Sequence, residues 1–304
     1  MTNVTIKTKP LMLGQHLEHE EIRDFEVLDQ PLARAKGVWR MFRENKGMAG
    51  TPKLLTYPEN QLKLAKSEAY TVGLTLQSAD GSGMETCPWR GECAAVCVLK
   101  NGNGRYNHVQ EARNVKTQFL AAWPQMFLRL LVLEFDHLVR IQQEVFHRTD
   151  EWQPLRCRMN VNSDLRWYKI APWLFKRYEN QIEFYDYTKN PATLTREDGG
   201  LVLPNYLLVP SISENTNMVR AYEFLSHGGK VAVVTNRKRH APVDPEAVID
   251  HLFGHILQVF TPLVVDGDTT DDLWSHPDEC IIDLTAKGSA RKLGEGFVRH
   301  AYSN

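Results

Sequence analysis

The chain has 304 residues, 42% of them hydrophobic and 24% charged, a balance that suits one large or two average globular domains and excludes fibrous and disordered classes. Its 36 Lys and Arg against 37 Asp and Glu leave a formal charge of −1, so nucleic-acid contact is expected only through local patches. The sequence has no apolar run of membrane-spanning length, no signal-peptide blocks in its first ten residues and an odd cysteine count of five, which together predict a cytoplasmic protein with free or metal-bound thiols and no membrane partner.

Residues 1–67 read as a polar N-terminal extension with one helix over 31–45, and residues 68–304 as a single catalytic domain. From residue 69 onward, β-rich runs alternate with helical or looped stretches. Strands are expected at 69–76, 155–161, 182–187, 206–211, 230–235, 262–265 and 280–284. Helices are expected at 109–122, 124–146, 166–178, 217–226 and 245–257, the second carrying Phe127, Leu128, Leu131 and Leu133 at roughly helical spacing. Seven strands separated by helices predict an α/β chain folded as a (β/α) TIM-like barrel or part-barrel, with an open doubly wound sheet as the runner-up.

The loop after the first strand, within 84–110, holds three cysteines in eleven residues: Cys87, Cys93 and Cys97. Thiolates so closely spaced are suited to a soft metal or a cluster, whereas buried apolar cysteines are the plainer alternative. Cys93 and Cys97 have the spacing of a zinc pair, and His108 lies across a glycine-containing loop as a fourth ligand, giving a structural Cys3His zinc site. Cys157 and Cys280 are other candidate fourth ligands. Three thiolates without a fourth would instead leave one iron of a [4Fe-4S] cluster open.

In a barrel, chemistry gathers where strands end. Those ends carry Asp164, Asp186, Lys189, Glu214, Asn236, Asp266, Asp283 and Lys287. Asp164, Asp186 and Asp283 are the expected nucleophile or acid/base groups, although Asp164 serves equally as a cap for the helix that follows. Strand alternation places Tyr185 and Tyr187 on one face and Asp186 on the other, with the acid expected inward or toward the mouth. Tyr185, Lys189, Glu214, Asn236, Asp266, Lys287 and Arg291 are the expected substrate-binding set. The acids from Asp266 to Asp272 lack the distal glutamate of a calcium loop and read as solvated, Asp266 excepted. The basic run at 236–240 reads as a solvated face or a phosphate track.

Taken as a set, Thr86 with the three cysteines, Asn162 to Asp164, Tyr185 to Lys189, Val265 to Asp268 and Leu284 to Gly288 resemble a bacteriophage protein family of unassigned function, over roughly residues 70–290. The resemblance implies phage origin, a host-cell cytoplasmic location and a barrel-like fold. Asp283 with Ala290 and Arg291 is similar to the nucleophile segment of the tRNA-guanine transglycosylases, zinc-bearing barrels that exchange bases through aspartates. The leading expectation is therefore a phage-type transglycosylase exchanging guanine in DNA, or in RNA, with a nucleic acid and a small base or nucleotide as partners. The three-cysteine loop also resembles that of the radical S-adenosylmethionine enzymes, which would add S-adenosylmethionine to a [4Fe-4S] cluster. Their usual spacing is three then two intervening residues, against five then three here, and no Gly-Gly-Glu segment follows the second strand. A zinc-stabilised nucleic-acid-binding protein is the non-enzymatic alternative.

Overall fold

The structure, a computed structural model, describes residues 21–45, 47–48, 53–61, 64–100, 102–256 and 259–303. The first part of the expected N-terminal extension, residues 1–20, lies outside the described residues. Among the described residues ten strands run β1 Leu55–Thr56, β2 Tyr70–Leu74, β3 Leu155–Arg158, β4 Ile182–Thr188, β5 Leu201–Leu203, β6 Tyr206–Pro210, β7 Lys230–Thr235, β8 Leu263–Asp266, β9 Cys280–Thr285 and β10 Val298–Arg299. The main helices are α1 Leu32–Glu44, α2 Asn107–Ala122, α3 Pro124–Thr149, α4 Met218–Ser226 and α5 Pro245–Phe253. All seven expected strands are present. The short strands β1, β5 and β10 were not foreseen, because two or three residues carry no periodic signal.

Local chemistry explains where the helices begin. Pro124 and Pro245 occupy first-turn positions, where a missing N–H costs nothing. Asn217 accepts from the backbone N–H of Arg220 at 3.1 Å, and Asp244 accepts from that of Ala247 at 3.1 Å. The expected helix over 166–178 forms as two short pieces, Trp167–Ile170 and Pro172–Arg177. The break falls at Ala171, which precedes a proline and is held outside the helical region.

The strands form two sheets, ordered β1-β2-β3-β4-β6-β5 and β10-β7-β9-β8. Pairing is parallel throughout the second sheet and between β2, β3, β4 and β6, whereas β1 and β5 are antiparallel edges. One isolated bridge, Ser211 to Ala232, links the sheets, with Ile212 N donating to Ala232 O at 2.8 Å. Of the expected barrel or part-barrel, no closed barrel is formed: the described strands make a mixed α/β molecule of two sheets, one edged by β1 and β5 and the other by β10 and β8. No helix among the described residues is long and apolar enough to cross a membrane.

One sheet face carries the helices. Under the first sheet, Trp39, Phe119, Phe127, Leu131 and Phe135 pack with Val72, Cys157 and Phe184; under the second, Phe224, Leu225, Leu252 and Phe253 pack with Val231, Val233 and Ile281. Val27, Ala35, Leu54 and Leu55 belong to the first cluster, so the described part of the N-terminal extension is built into the core. The opposite faces meet in a cluster of Tyr185, Leu207, Val209, Ala232, Leu273, Cys280 and Ile282 that spans both sheets.

That inner face also holds two arginines. Arg156 and Arg158 alternate with the outward Cys157 along β3 and pair with Asp272 and Asp271. Both acids are buried, which corrects the expectation that this acidic run is solvated. Ser67 Oγ adds a bond to Asp272 at 3.0 Å, and Trp274 Nε1 donates to Phe184 O at 3.1 Å. Ion pairing, rather than a strand ladder, thus ties the loop after β8 to the first sheet. Removing one partner of a buried pair strands the other charge, at about 3–5 kcal/mol. Asp272→Ala is expected to lower the urea-unfolding free energy by about that amount, and a loss below about 1 kcal/mol, ordinary for surface pairs, would show that the seam carries no structural weight.

Candidate functional site

The C-terminal ends of β3, β4, β7 and β9 converge on a cavity of about 260 Å³, and Cys87, Cys93 and Cys97 all line it. Around them stand Arg158, Asn160, Asn162 and Asp164 from the end of β3, Tyr187 and Lys189 from β4, Val234 from β7, and Leu284 and Lys287 from β9. A cavity of about 720 Å³ lies elsewhere, between β1, the starts of β2 and β3, and helices α1, α2 and α3. Size alone would favour the larger one. Chemistry favours the smaller, because it gathers three thiols and the ends of four parallel strands.

The segment 160–165 organises this wall. Asp186 is fully buried and accepts from Asn160 N at 2.6 Å, from Asn160 Nδ2 at 3.1 Å and from Tyr206 OH. Asn160 Oδ1 then accepts from Ser163 Oγ at 2.8 Å and Leu165 N at 3.0 Å, closing the loop on itself. From that loop Asn162 receives the N–H of Leu76 at 3.1 Å, and its carbonyl lies 3.8 Å from the Cys87 thiol. Asp164 N donates to Thr86 O at 2.7 Å, while Asp164 Oδ2 accepts from Lys189 N at 2.8 Å. One loop therefore joins the cysteine segment to β4.

Two carboxylate hydrogen bonds fasten the cysteine segment, one accepted by Glu214 and one by the segment's own Glu92. Glu214, after β6, accepts from Glu92 N at 2.8 Å; Glu92 accepts from Phe297 N at 2.9 Å. The approach at Gly91 is so close that a Cβ there would stand 1.8 Å from Glu214 Oε1. Arg90 pairs with Glu85 at 3.0 Å and Asp80 at 3.3 Å. Burial pushes the Cys87 and Cys97 thiols up, and Asp164 adds to the shift at Cys87.

The sequence-derived site residues fall into two groups. Cys87, Cys93, Cys97, Asp164, Lys189 and Lys287 share the cavity. His108 does not: it is exposed in the first turn of α2, its ring 5.8 Å from that of Tyr106. Cys157 and Cys280 are core residues on opposite sheet faces. Among the described residues, no three His, Cys, Asp or Glu side chains are arranged to hold a single metal ion, so the Cys3His zinc set is not assembled.

Asp186 and Asp283 are enclosed rather than displayed. Tyr185 and Tyr187 take the inner face, so the alternation is as expected but the side is reversed: Asp186 points with Phe184 toward the helices. Asp283 lies on its helix-facing side, accepting from Thr235 Oγ1 at 2.6 Å and Tyr302 OH at 2.7 Å and pairing with Arg237 at 2.9 Å. Burial raises its carboxyl. Arg237 also holds Asp266 at 2.6 Å and is itself buried, whereas Lys238, Arg239 and His240 of the same basic run are exposed, as expected of a solvated face. Asn236 exchanges two hydrogen bonds with the backbone of Tyr302, and Lys287 pairs with Asp268. Arg291 is exposed and donates to Ala286 O at 3.1 Å. Arg158 and Asn160 went unnoticed in the sequence; a charged and an amide residue ending an apolar strand were the available signal.

Residues 40–301 match the family model described as gene product 88, and the chain belongs to that family. This accords with the phage family of unassigned function that its motif set resembles. No curated protein and no solved structure matches the chain, so the similarity to transglycosylases gains no support from either comparison.

Two outcomes test this architecture. Burial lifts Asp186 to about 7, above its unfolded value near 4. The folded chain then holds a proton that the unfolded chain has lost, so this stabilisation is complete below about pH 4 and disappears as pH rises through about 7. Thermal unfolding at pH 5 and pH 8 is expected to show a Tm falling by several degrees, on the order of 2–4 °C per kcal/mol, and Asp186→Asn is expected to flatten that fall; an unchanged slope would refute the assignment. Gly91→Ala is expected to displace the cysteine segment, seen as faster alkylation of Cys93 and Cys97, with global stability lowered by no more than about 1–3 kcal/mol.

Proposed function

We propose that this member of the gene product 88 family is an iron–sulfur enzyme of the radical S-adenosylmethionine type, with Cys87, Cys93 and Cys97 as the cluster ligands. One observation carries the reading: three thiols share a single cavity with the C-terminal ends of four parallel strands, and no histidine or fourth cysteine lines it. A structural zinc site is closed by four ligands, each sulfur about 2.3 Å from one ion. Three thiolates without a fourth ligand would leave one iron of a cluster open to a small molecule. When bound, such a cluster supplies one electron to the sulfonium of S-adenosylmethionine, whose carbon–sulfur bond then breaks to give methionine and a 5′-deoxyadenosyl radical.

The chain's own residues supply the setting. Val96, Val234, Leu284, Ala290 and Phe297 make much of the lining apolar, which limits water around a reactive species. Glu214 from outside, and the segment's own Glu92 through Phe297 N, hold the cysteine segment, so its geometry does not depend on the metal alone. Solvent exposure and hydrogen bonding around the sulfurs would tune the reduction potential.

Base exchange retains one supporting observation, that Asp164 lines the same cavity. Its Oδ2 is committed to Lys189 N, and the other two aspartates are enclosed, so the nucleophile of that reading has little freedom.

Protein purified without oxygen is expected to be brown, with about four irons and matching sulfide per chain. Replacing any one of the three cysteines by alanine should lose most of that iron. With dithionite and S-adenosylmethionine, the native chain should release 5′-deoxyadenosine. A colourless protein holding stoichiometric zinc would overturn the proposal, and base exchange abolished by Asp164→Asn in such a protein would establish the other reading.

A further inference from the structure

Beside the cysteine cavity lies a second, of about 270 Å³, formed where β4 and β6 end. The two share Arg90, Thr188 and Lys189 as lining residues, so they stand side by side. We infer that this second cavity binds a small α-amino acid zwitterion with an apolar side chain, and that this amino acid is the substrate worked on from the cysteine side. The substrate role rests on the function proposed above; the binding site does not.

The argument is one of unmatched charge. Most ionic groups around both cavities have internal partners: Arg90 with Glu85 and Asp80, Arg158 with Asp271, Lys287 with Asp268. Two groups lining the second cavity differ. Among the described residues, Lys189 Nζ meets the Ser211 hydroxyl at 3.4 Å and the face of Phe297, 5.1 Å from the ring centroid, rather than a carboxylate. Glu214 accepts from Glu92 N and makes no ion pair among the described residues. An ammonium on the ligand would pair with Glu214, and a carboxylate on the same ligand would pair with Lys189. Trp89, Pro191, Leu194, Pro210 and Ile212 give the otherwise polar lining an apolar wall, which suits an aliphatic side chain. The volume admits an amino acid of leucine's size and excludes a folded peptide.

Isothermal titration of the full chain with L-leucine and L-methionine tests this, using 4-methylpentanoate and 3-methylbutylamine as probes lacking one charge each. Saturable binding is expected for the amino acids, with each single-charge probe at least tenfold weaker. Lys189→Met should weaken leucine binding at least tenfold and leave 3-methylbutylamine unchanged. Glu214→Gln keeps an acceptor for Glu92 N and should weaken leucine equally while leaving 4-methylpentanoate unchanged. Absence of saturable binding, equal binding of 4-methylpentanoate and leucine, or indifference to both variants would overturn the site. Competitive displacement of leucine by S-adenosylmethionine would overturn the substrate role, by assigning the cavity to the cosubstrate's methionine end. Leucine binding by a zinc-containing, iron-free protein would uphold the amino-acid site while the radical reading fails.

Discussion

A carboxylate enclosed beneath a sheet must find hydrogen-bond donors, and Asp186 finds them in Asn160 and Tyr206. That requirement sets the course of the chain after β3. With its side chain committed to the 160–165 loop, Asn160 turns that loop back across the strand end. The loop then receives Leu76, Thr86 and Lys189 through backbone bonds, so the cysteine segment and the end of β4 are both positioned from one buried acid. Asp186 is thus a positioning group one layer behind the cavity, at the register where a mouth-facing acid was expected.

The second sheet uses the same device. Arg237 is shared among Asp266, Asp268 and Asp283 and fixes three strand ends at once. Between the sheets, where no strand ladder closes the structure, Arg156 and Arg158 reach the loop after β8 through Asp272 and Asp271. Strand ends in this protein are dense in charge chiefly because charge replaces the missing ladder. Once these pairs are subtracted, Lys189 and Glu214 stand out as charges without an ion pair among the described residues, beside three thiols that share one cavity. The candidate chemistry belongs to that remainder.

Much of the fold was legible. Lys230–Thr235, with three valines in six residues, and Ile182–Thr188, with alternating aromatics, advertise buried strands through β-branched and aromatic content. The long helix Pro124–Thr149 advertises itself by periodicity and its leading proline. Closure of the barrel was not legible, because it depends on whether two distant strands find each other, and no local pattern encodes that pairing. The same holds for the acids from Asp266 to Asp272. A run of aspartates reads as solvated until the arginines that neutralise it come from β3, more than a hundred residues earlier.

The sequence by itself determined the seven main strands, the principal helices and the clustering of three cysteines in one loop, since each follows from local composition, spacing or periodicity. It also determined the alternation that separates Asp186 from Tyr185 and Tyr187. Tertiary structure decided which face of each strand meets the helices, and so turned Asp186 and Asp283 from expected catalysts into enclosed supports. It left His108 exposed and brought the cysteines to the ends of β3, β4, β7 and β9. The physical reason is that burial and charge pairing are long-range properties: an ionisable side chain acquires its role from the partners that the fold delivers, and spacing along the chain does not specify them.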